Sequence, residues 1–157
     1  MNRFLIYTFL IIGLPIISFG QKVTYSDFER EDTRDINFEI IGKMNGNFLV
    51  YKNAKWRHKI NIFNDSMKIK ETIKLDFIPD KTFNVDFVIY PDFFYFFFQY
   101  QKKNILYCMG VKMDGYGKKI SEPVQLDTTQ ISILANNKIY TTVFSEDKQK
   151  IMVFKIH

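Results

Sequence analysis

The sequence predicts an all-β chain of antiparallel four-stranded units repeating at about 45 residues, the pattern of a partial, open β-propeller. Three observations predict it. From Ile36 onward, short runs rich in Ile, Val, Phe, Tyr and Thr alternate with turn residues, and no window carries the period of a long amphipathic helix. Comparable strands containing Leu49, Phe94 and Ile139 recur at intervals of 45 residues. The run Phe93-Phe94-Tyr95-Phe96-Phe97-Phe98 sets aromatic rings on both faces of one strand, so both faces need cover. A single four-stranded sheet cannot cover both its own faces; radial stacking of neighbouring sheets does. An up-and-down β-barrel is the alternative architecture.

Each element follows from local chemistry. Residues 1–20 read as a signal peptide: Arg3 supplies the charge, Phe4 to Ser18 is uncharged, and Ser18 and Gly20 stand at positions −3 and −1 of a cut before Gln21. The expected location is secreted, periplasmic or cell-surface, with no stable membrane span after cleavage. Residues 21–35 form a polar lead-in, dense in Asp, Glu and Arg. The region 36–157 holds two full units and an incomplete third, which implies a fragment of a longer protein. The first unit takes strands near Ile36–Ile41, Asn47–Lys52, Lys59–Phe63 and Lys68–Leu75, with turns at Asn45-Gly46, Asn53 to His58 and Asn64-Asp65-Ser66. The second takes Phe83–Tyr90, Phe93–Tyr100, Asn104–Met113 and Lys119–Leu126. The third takes Thr129–Leu134, Lys138–Phe144 and Lys150–Ile156, with turns at Asn136-Asn137 and Ser145 to Lys148.

Composition narrows the class further. The 157 residues are 46% hydrophobic and 25% charged, too apolar for a disordered chain. One cysteine excludes a disulfide framework and any multi-cysteine metal site. The net charge of +5 is spread as single lysines and lysine pairs between strands, not gathered on one face, so nucleic acid is not an expected partner.

Taken together, the cut at Ser18-Phe19-Gly20/Gln21, the following Thr24-Tyr25-Ser26-Asp27-Phe28 and runs such as Asn47-Phe48-Leu49-Val50-Tyr51 resemble the N-terminal part of secreted proteins of Bacteroidota-type bacteria with β-propeller-like blades. The resemblance covers most of the chain. It implies a periplasmic or surface location and carries no activity and no catalytic residue.

The chemistry-bearing inventory is thin. The sequence holds no nucleophile elbow, phosphate loop or zinc-protease motif, and the expectation is a non-enzymatic module with no cofactor and no metal. Cys108 lies among apolar neighbours and reads as a buried small hydrophobe. Asp76, Asp80, Asp86 and Asp92 flank the connection between units one and two; Asp86, on a first strand, is the best candidate for an acid facing a central channel. Asp114-Gly115-Tyr116-Gly117 lacks calcium-loop ligands and reads as a hairpin turn. Trp56 and Arg57 are the residue types enriched at binding hot spots, and Tyr116 joins them if the two loops share one end of the units. The binding candidates are therefore Trp56, Arg57, Asp86 and Tyr116, with a protein or a carbohydrate as partner. Two alternatives stand beside this reading. One is the N-terminal part of a glycosidase-like propeller enzyme using carboxylates, and the other is a barrel holding an apolar ligand.

Overall fold

The computed structural model describes residues 22–27, 36–132 and 139–156. The expected signal peptide, residues 28–35 of the lead-in, the Asn136-Asn137 turn and His157 lie outside the described residues. The described residues form ten strands: β1 Ile36–Met44, β2 Asn47–Ala54, β3 Arg57–Phe63, β4 Ile69–Lys74, β5 Thr82–Ile89, β6 Phe93–Lys102, β7 Ile105–Asp114, β8 Val124–Gln130, β9 Tyr140–Phe144 and β10 Ile151–Lys155. No helix appears among the described residues.

The strands make three separate antiparallel sheets in simple up-and-down order: β1-β2-β3-β4, β5-β6-β7-β8 and β9-β10. Among the described residues no sheet closes on itself, so the up-and-down barrel is not the arrangement. The physical reason is the break after β4. Leu75 to Lys81 leaves the first sheet and returns the chain to begin a new one, instead of continuing the ladder.

The aromatic run on β6 explains the layering. Phe94, Phe96 and Phe98 pack with Leu49, Tyr51, Ile60 and Ile62 of the first sheet and with Val111 and Met113 of β7 in one core. Ring contacts cross the gap directly, Tyr51 lying 5.6 Å from Phe96 and 5.7 Å from Phe87 between centroids. Each fully buried Phe contributes roughly 1.5–3 kcal/mol of apolar burial. The opposite face of β6 and β7 carries Gln99, Leu106 and Cys108, and these meet the third sheet at Tyr140. The middle sheet is thus covered on both faces, as its unbroken aromatic run demands.

Close approach at the first strands sets the spacing of the sheets. β1 runs beside β5, and β5 beside β9. Gly42, at φ +151° beside a bulge in β1, leaves room for Ile89: a Cβ there would stand 3.0 Å from Ile89 Cδ1. Near β4 the space between the sheets is filled by the returning linker, with Leu75 and Ile78 buried and Phe77 edge-on to Phe96 and Phe98.

The third sheet stands in a different phase from the one the 45-residue spacing predicts. β9 ends where β5 ends: Lys148, in the β9–β10 hairpin, donates from Nζ to the Ile89 carbonyl at 3.1 Å and accepts from the Tyr90 hydroxyl. β9 and β10 therefore occupy the positions of first and second strands, not second and third. Nine residues separate β8 from β9, much as seven separate β4 from β5. The shift originates in residues 115–123, an excursion anchored by the Ile120 N–H on the Lys112 carbonyl at 2.8 Å and by a Met113–Lys119 bridge. That excursion displaces the last strand of the middle sheet from the expected Lys119–Leu126 to Val124–Gln130. β8 takes in Thr129 and Gln130, the start of the strand expected at Thr129–Leu134, whose residues 133–134 lie outside the described residues.

Side-chain bonds seat the third sheet. Gln99 is buried and treats Tyr140 as a strand partner, donating from Nε2 to its carbonyl at 2.7 Å and accepting its N–H on Oε1 at 2.9 Å. The Tyr140 hydroxyl donates to Asp127 Oδ2 at 2.9 Å and contacts the Thr129 hydroxyl. Burial first, then the neighbouring Asp127 carboxylate, pushes the Tyr140 phenol up to about 12, against the opposing pull of Thr129. The Thr128 backbone and the Tyr140 hydroxyl hold Asp127 below the usual carboxylate range.

Candidate functional site

A cleft of about 710 Å³ opens where the β2–β3 hairpin meets the linker from β4 to β5. Its hairpin side is Ala54 to Lys59; its floor and far wall come from Thr72, Lys74, Leu75, Asp76, Ile78 and Asp80. The linker is held in place by the Leu75 N–H on the His58 carbonyl at 2.9 Å, by Ile78 N–H on the Leu75 carbonyl at 3.1 Å and by Thr82 Oγ1 on the Pro79 carbonyl at 2.7 Å. Those bonds carry Asp76 and Asp80 to the cleft.

The hairpin is tighter than its residue types predict. The turn consists of Lys55 and Trp56 alone, with Ala54 paired to Arg57 and Asn53 to His58. Both turn residues have positive φ, +51° and +67°, the combination of a type I′ turn that normally calls for Asn-Gly. A left-handed conformation costs an L-residue roughly 1–2 kcal/mol. Asn45-Gly46, at φ +49° and +73°, meets the same geometry with the residues that suit it. The strained turn leaves Trp56 52% exposed at the cleft rim.

His58 is a strand residue, buried to 6% exposure, and not part of the turn where the sequence placed it. The Tyr51 hydroxyl shares a 2.7 Å hydrogen bond with Nδ1, and the two rings stack with centroids 6.1 Å apart. Burial, then the charge of Glu39, raises the Tyr51 phenol well above its ordinary value, so it stays protonated and donates to Nδ1. That assignment leaves the proton of the neutral ring on Nε2, which is buried and makes no hydrogen bond among the described residues. Burial lowers the imidazole, and the backbone of Asp80 and Pro79 together with the Asp80 charge opposes the shift only in part. At neutral pH His58 is uncharged.

The structure brings Trp56 and Arg57 together with Asp76 and Asp80. Asp86 and Tyr116 lie elsewhere. Asp86 sits on β5 opposite Phe97, on the face of the middle sheet turned toward the third. Tyr116 belongs to the excursion at the other end of the strands, where Asp114 Oδ1 accepts from the Tyr116 and Lys118 N–H groups at 2.9 and 2.8 Å. Gly117 closes this turn at φ +73°. Asn64 is likewise a turn residue, its Oδ1 accepting from the Ser66 and Lys68 N–H groups. Cys108 is buried, and burial followed by the charges of Asp127 and Asp86 pushes its thiol up to about 11, so it is protonated and inert. Among the described residues no three His, Cys, Asp or Glu side chains are grouped so that they could hold a metal ion.

Lys55, His58, Lys59, Thr72 and Lys74 are the polar cleft residues that sequence reasoning missed as site residues. The only available signal was the adjacency of His58 to Trp56-Arg57. Comparison with protein-family models, curated proteins and solved structures returned no match.

Proposed function

We propose that the chain is a secreted, non-enzymatic binding module of propeller type whose cleft beside Trp56 holds a carbohydrate. The observation that carries this reading is Trp56 itself: a large ring held at strained backbone geometry, half exposed, over a concave site lined by hydrogen-bonding groups. Backbone strain of this kind clusters at ligand sites. A flat indole offers the C–H face of a sugar ring close dispersion contact, while Asp76, Asp80, Thr72 and Arg57 supply acceptors and donors for its hydroxyls. Propeller-type assembly is supported by three features. The sheets are separate, the middle one is covered on both faces, and successive first strands approach each other. Export rests on the composition of residues 1–20.

Trp56 is the only tryptophan in the chain, so its fluorescence reports the cleft alone. Screening a glycan panel should find saccharides that shift this emission without being hydrolysed. Followed by titration calorimetry, which needs no tryptophan, Trp56→Ala should abolish binding, and Tyr116→Ala should leave it unchanged. Binding that survives Trp56→Ala, or release of cleaved sugar, would contradict the proposal.

A further inference from the structure

β10 has the sequence of an interior strand and stands at an edge. The three sheets end on their outer sides in β4, β8 and β10. β4 carries Lys70, Glu71 and Lys74, β8 carries Gln125, Asp127 and Gln130, and a register shift breaks the ladder of each. Charges and bulges of this kind keep an edge from recruiting another strand. β10 has neither over Ile151-Met152-Val153-Phe154, and its register with β9 is unbroken. Continuous apolar runs of that kind stand on β2 and β6, each of which has a strand on either side. The Ile156 N–H bonds the Ile139 carbonyl at 2.7 Å, so by alternation Met152 and Phe154 turn their backbone groups toward β9. Ile151, Val153 and Lys155 turn theirs to the open side, where no strand stands among the described residues. The middle sheet offers a seat there. Val124 pairs with Gly110, and Gly110 with Phe97, which puts Val124 on the face turned toward the third sheet. Leu126 shares that face, its Cδ1 lying 3.3 Å from where a Gly110 Cβ would stand. Both are exposed, to 59% and 44%, because β9 and β10 fill only the first two strand positions over this face.

We infer that β10 is the docking edge for an extended segment of another polypeptide, which joins the third sheet as its next strand. Its alternate side chains are apolar and rest on Leu126 and Val124. A row of backbone N–H and C=O groups at strand spacing is matched by another backbone, and the side chains beneath it select the partner. The seat also continues an interface already present, where Val153 packs on Leu106 and Cys108 and Gln99 bonds Tyr140. A second copy of the chain does not fit. Antiparallel pairing of two β10 edges places the two-fold axis perpendicular to the joined sheet, so both middle sheets fall on the same side of it. β7 and β8 of one copy would then occupy the space of β5 and β6 of the other. Face-to-face pairing fares no better. The outer face of the third sheet shows Val143, Met152, Phe154 and Ile156, each about half exposed. Together they offer roughly 250–400 Å² of apolar surface, against the about 800 Å² per partner of a stable complex. A segment with no sheet stacked behind it meets neither obstacle. The inference is independent of the cleft at Trp56.

The test is residue-resolved hydrogen exchange on the full chain, with a synthetic peptide of residues 57–63 as the probe. That segment is the third strand of the first sheet, the position that stands empty beside β10. At ten times its Kd the peptide should slow exchange of the Ile151, Val153 and Lys155 amides about tenfold. Met152 and Phe154, already turned toward β9, should change less. A peptide carrying Asn61→Pro, which interrupts the strand, should protect none of them. Val124→Lys, at an exposed position, should leave the melting temperature of the free chain unchanged and weaken the peptide. Fusing residues 57–63 behind His157 through an Asn-Gly turn raises the local concentration to about millimolar, so the outcome no longer depends on the affinity of the probe. The fused chain should show the same alternating protection. Fast exchange at Ile151, Val153 and Lys155 in the fused chain would overturn the inference. Protection that ignores Val124→Lys would overturn the seat on the middle sheet. Twice the chain mass by light scattering, with these amides protected before any peptide is added, would overturn the foreign segment in favour of a second copy.

Discussion

Replacing Gln99 by Leu isolates what holds the third sheet to the middle one. The substitution keeps bulk and adds apolar surface, yet removes the side-chain amide that pairs with Tyr140 at 2.7 and 2.9 Å. Tyr140 is 2% exposed, so its N–H and carbonyl lose partners that water does not readily replace. An unsatisfied buried backbone group costs about 1–3 kcal/mol, so two of them cost about 2–6 kcal/mol. Because this cost falls at one interface, it opens the third sheet before the rest of the fold yields. Hydrogen exchange resolved by residue is the assay. Amides of β9 and β10 should exchange faster by about 30-fold or more, taking the lower bound of that cost. Those of β2, β3 and β6 should change little. Gln99→Glu, which keeps the acceptor and loses the donor, should fall between the two. Unchanged exchange in Tyr140–Phe144, or a loss of protection spread evenly over all three sheets, would refute the reasoning.

Other substitutions probe other features. His58 is depressed by burial, so folded-state stability is fully present above the unfolded imidazole's pKa of about 6.5 and falls as pH drops below it. Melting temperature against pH should therefore decline from pH 7 to 5, and His58→Gln should flatten that decline; an unchanged slope would contradict the assignment. Gly42→Ala places a Cβ 3.0 Å from Ile89 at φ +151° and should cost about 1–3 kcal/mol in denaturant unfolding. Trp56→Gly relieves about 1–2 kcal/mol of left-handed strain, offset by about 0.4–1 kcal/mol of added freedom in the unfolded chain. It should leave stability equal or slightly higher while abolishing ligand binding, a combination that a core tryptophan would not give.

Much of the architecture was legible because it rests on strong local signals. The β6 run alternates faces by necessity, so Phe94, Phe96 and Phe98 pack against the first sheet while Gln99 faces the third. Asn45-Gly46 announces its own turn. The phase of the third sheet was not legible. Ile120, Val124 and Leu126 read as one strand in sequence, but the bridge at Met113–Lys119 makes part of that stretch an excursion and moves everything after it. Gln99 was also opaque, since a polar residue at the end of an aromatic run gives no sign that it will serve as a substitute strand. Trp56 and Arg57 were visible by residue type alone. Their company was not. His58 enters β3 because a turn without glycine adopts positive φ, and Asp76 and Asp80 reach the cleft through the return path of Leu75 to Lys81.

The fold depends on a middle sheet covered from both sides, and nuclear Overhauser contacts across β6 test that most directly. The account predicts contacts from the Phe96 ring to Tyr51 on one side and from the Gln99 side-chain amide to the Tyr140 N–H on the other. A Gln99 amide exchanging freely with water, with no Tyr140 contact, or Phe96 lacking any contact to the first sheet, would contradict it.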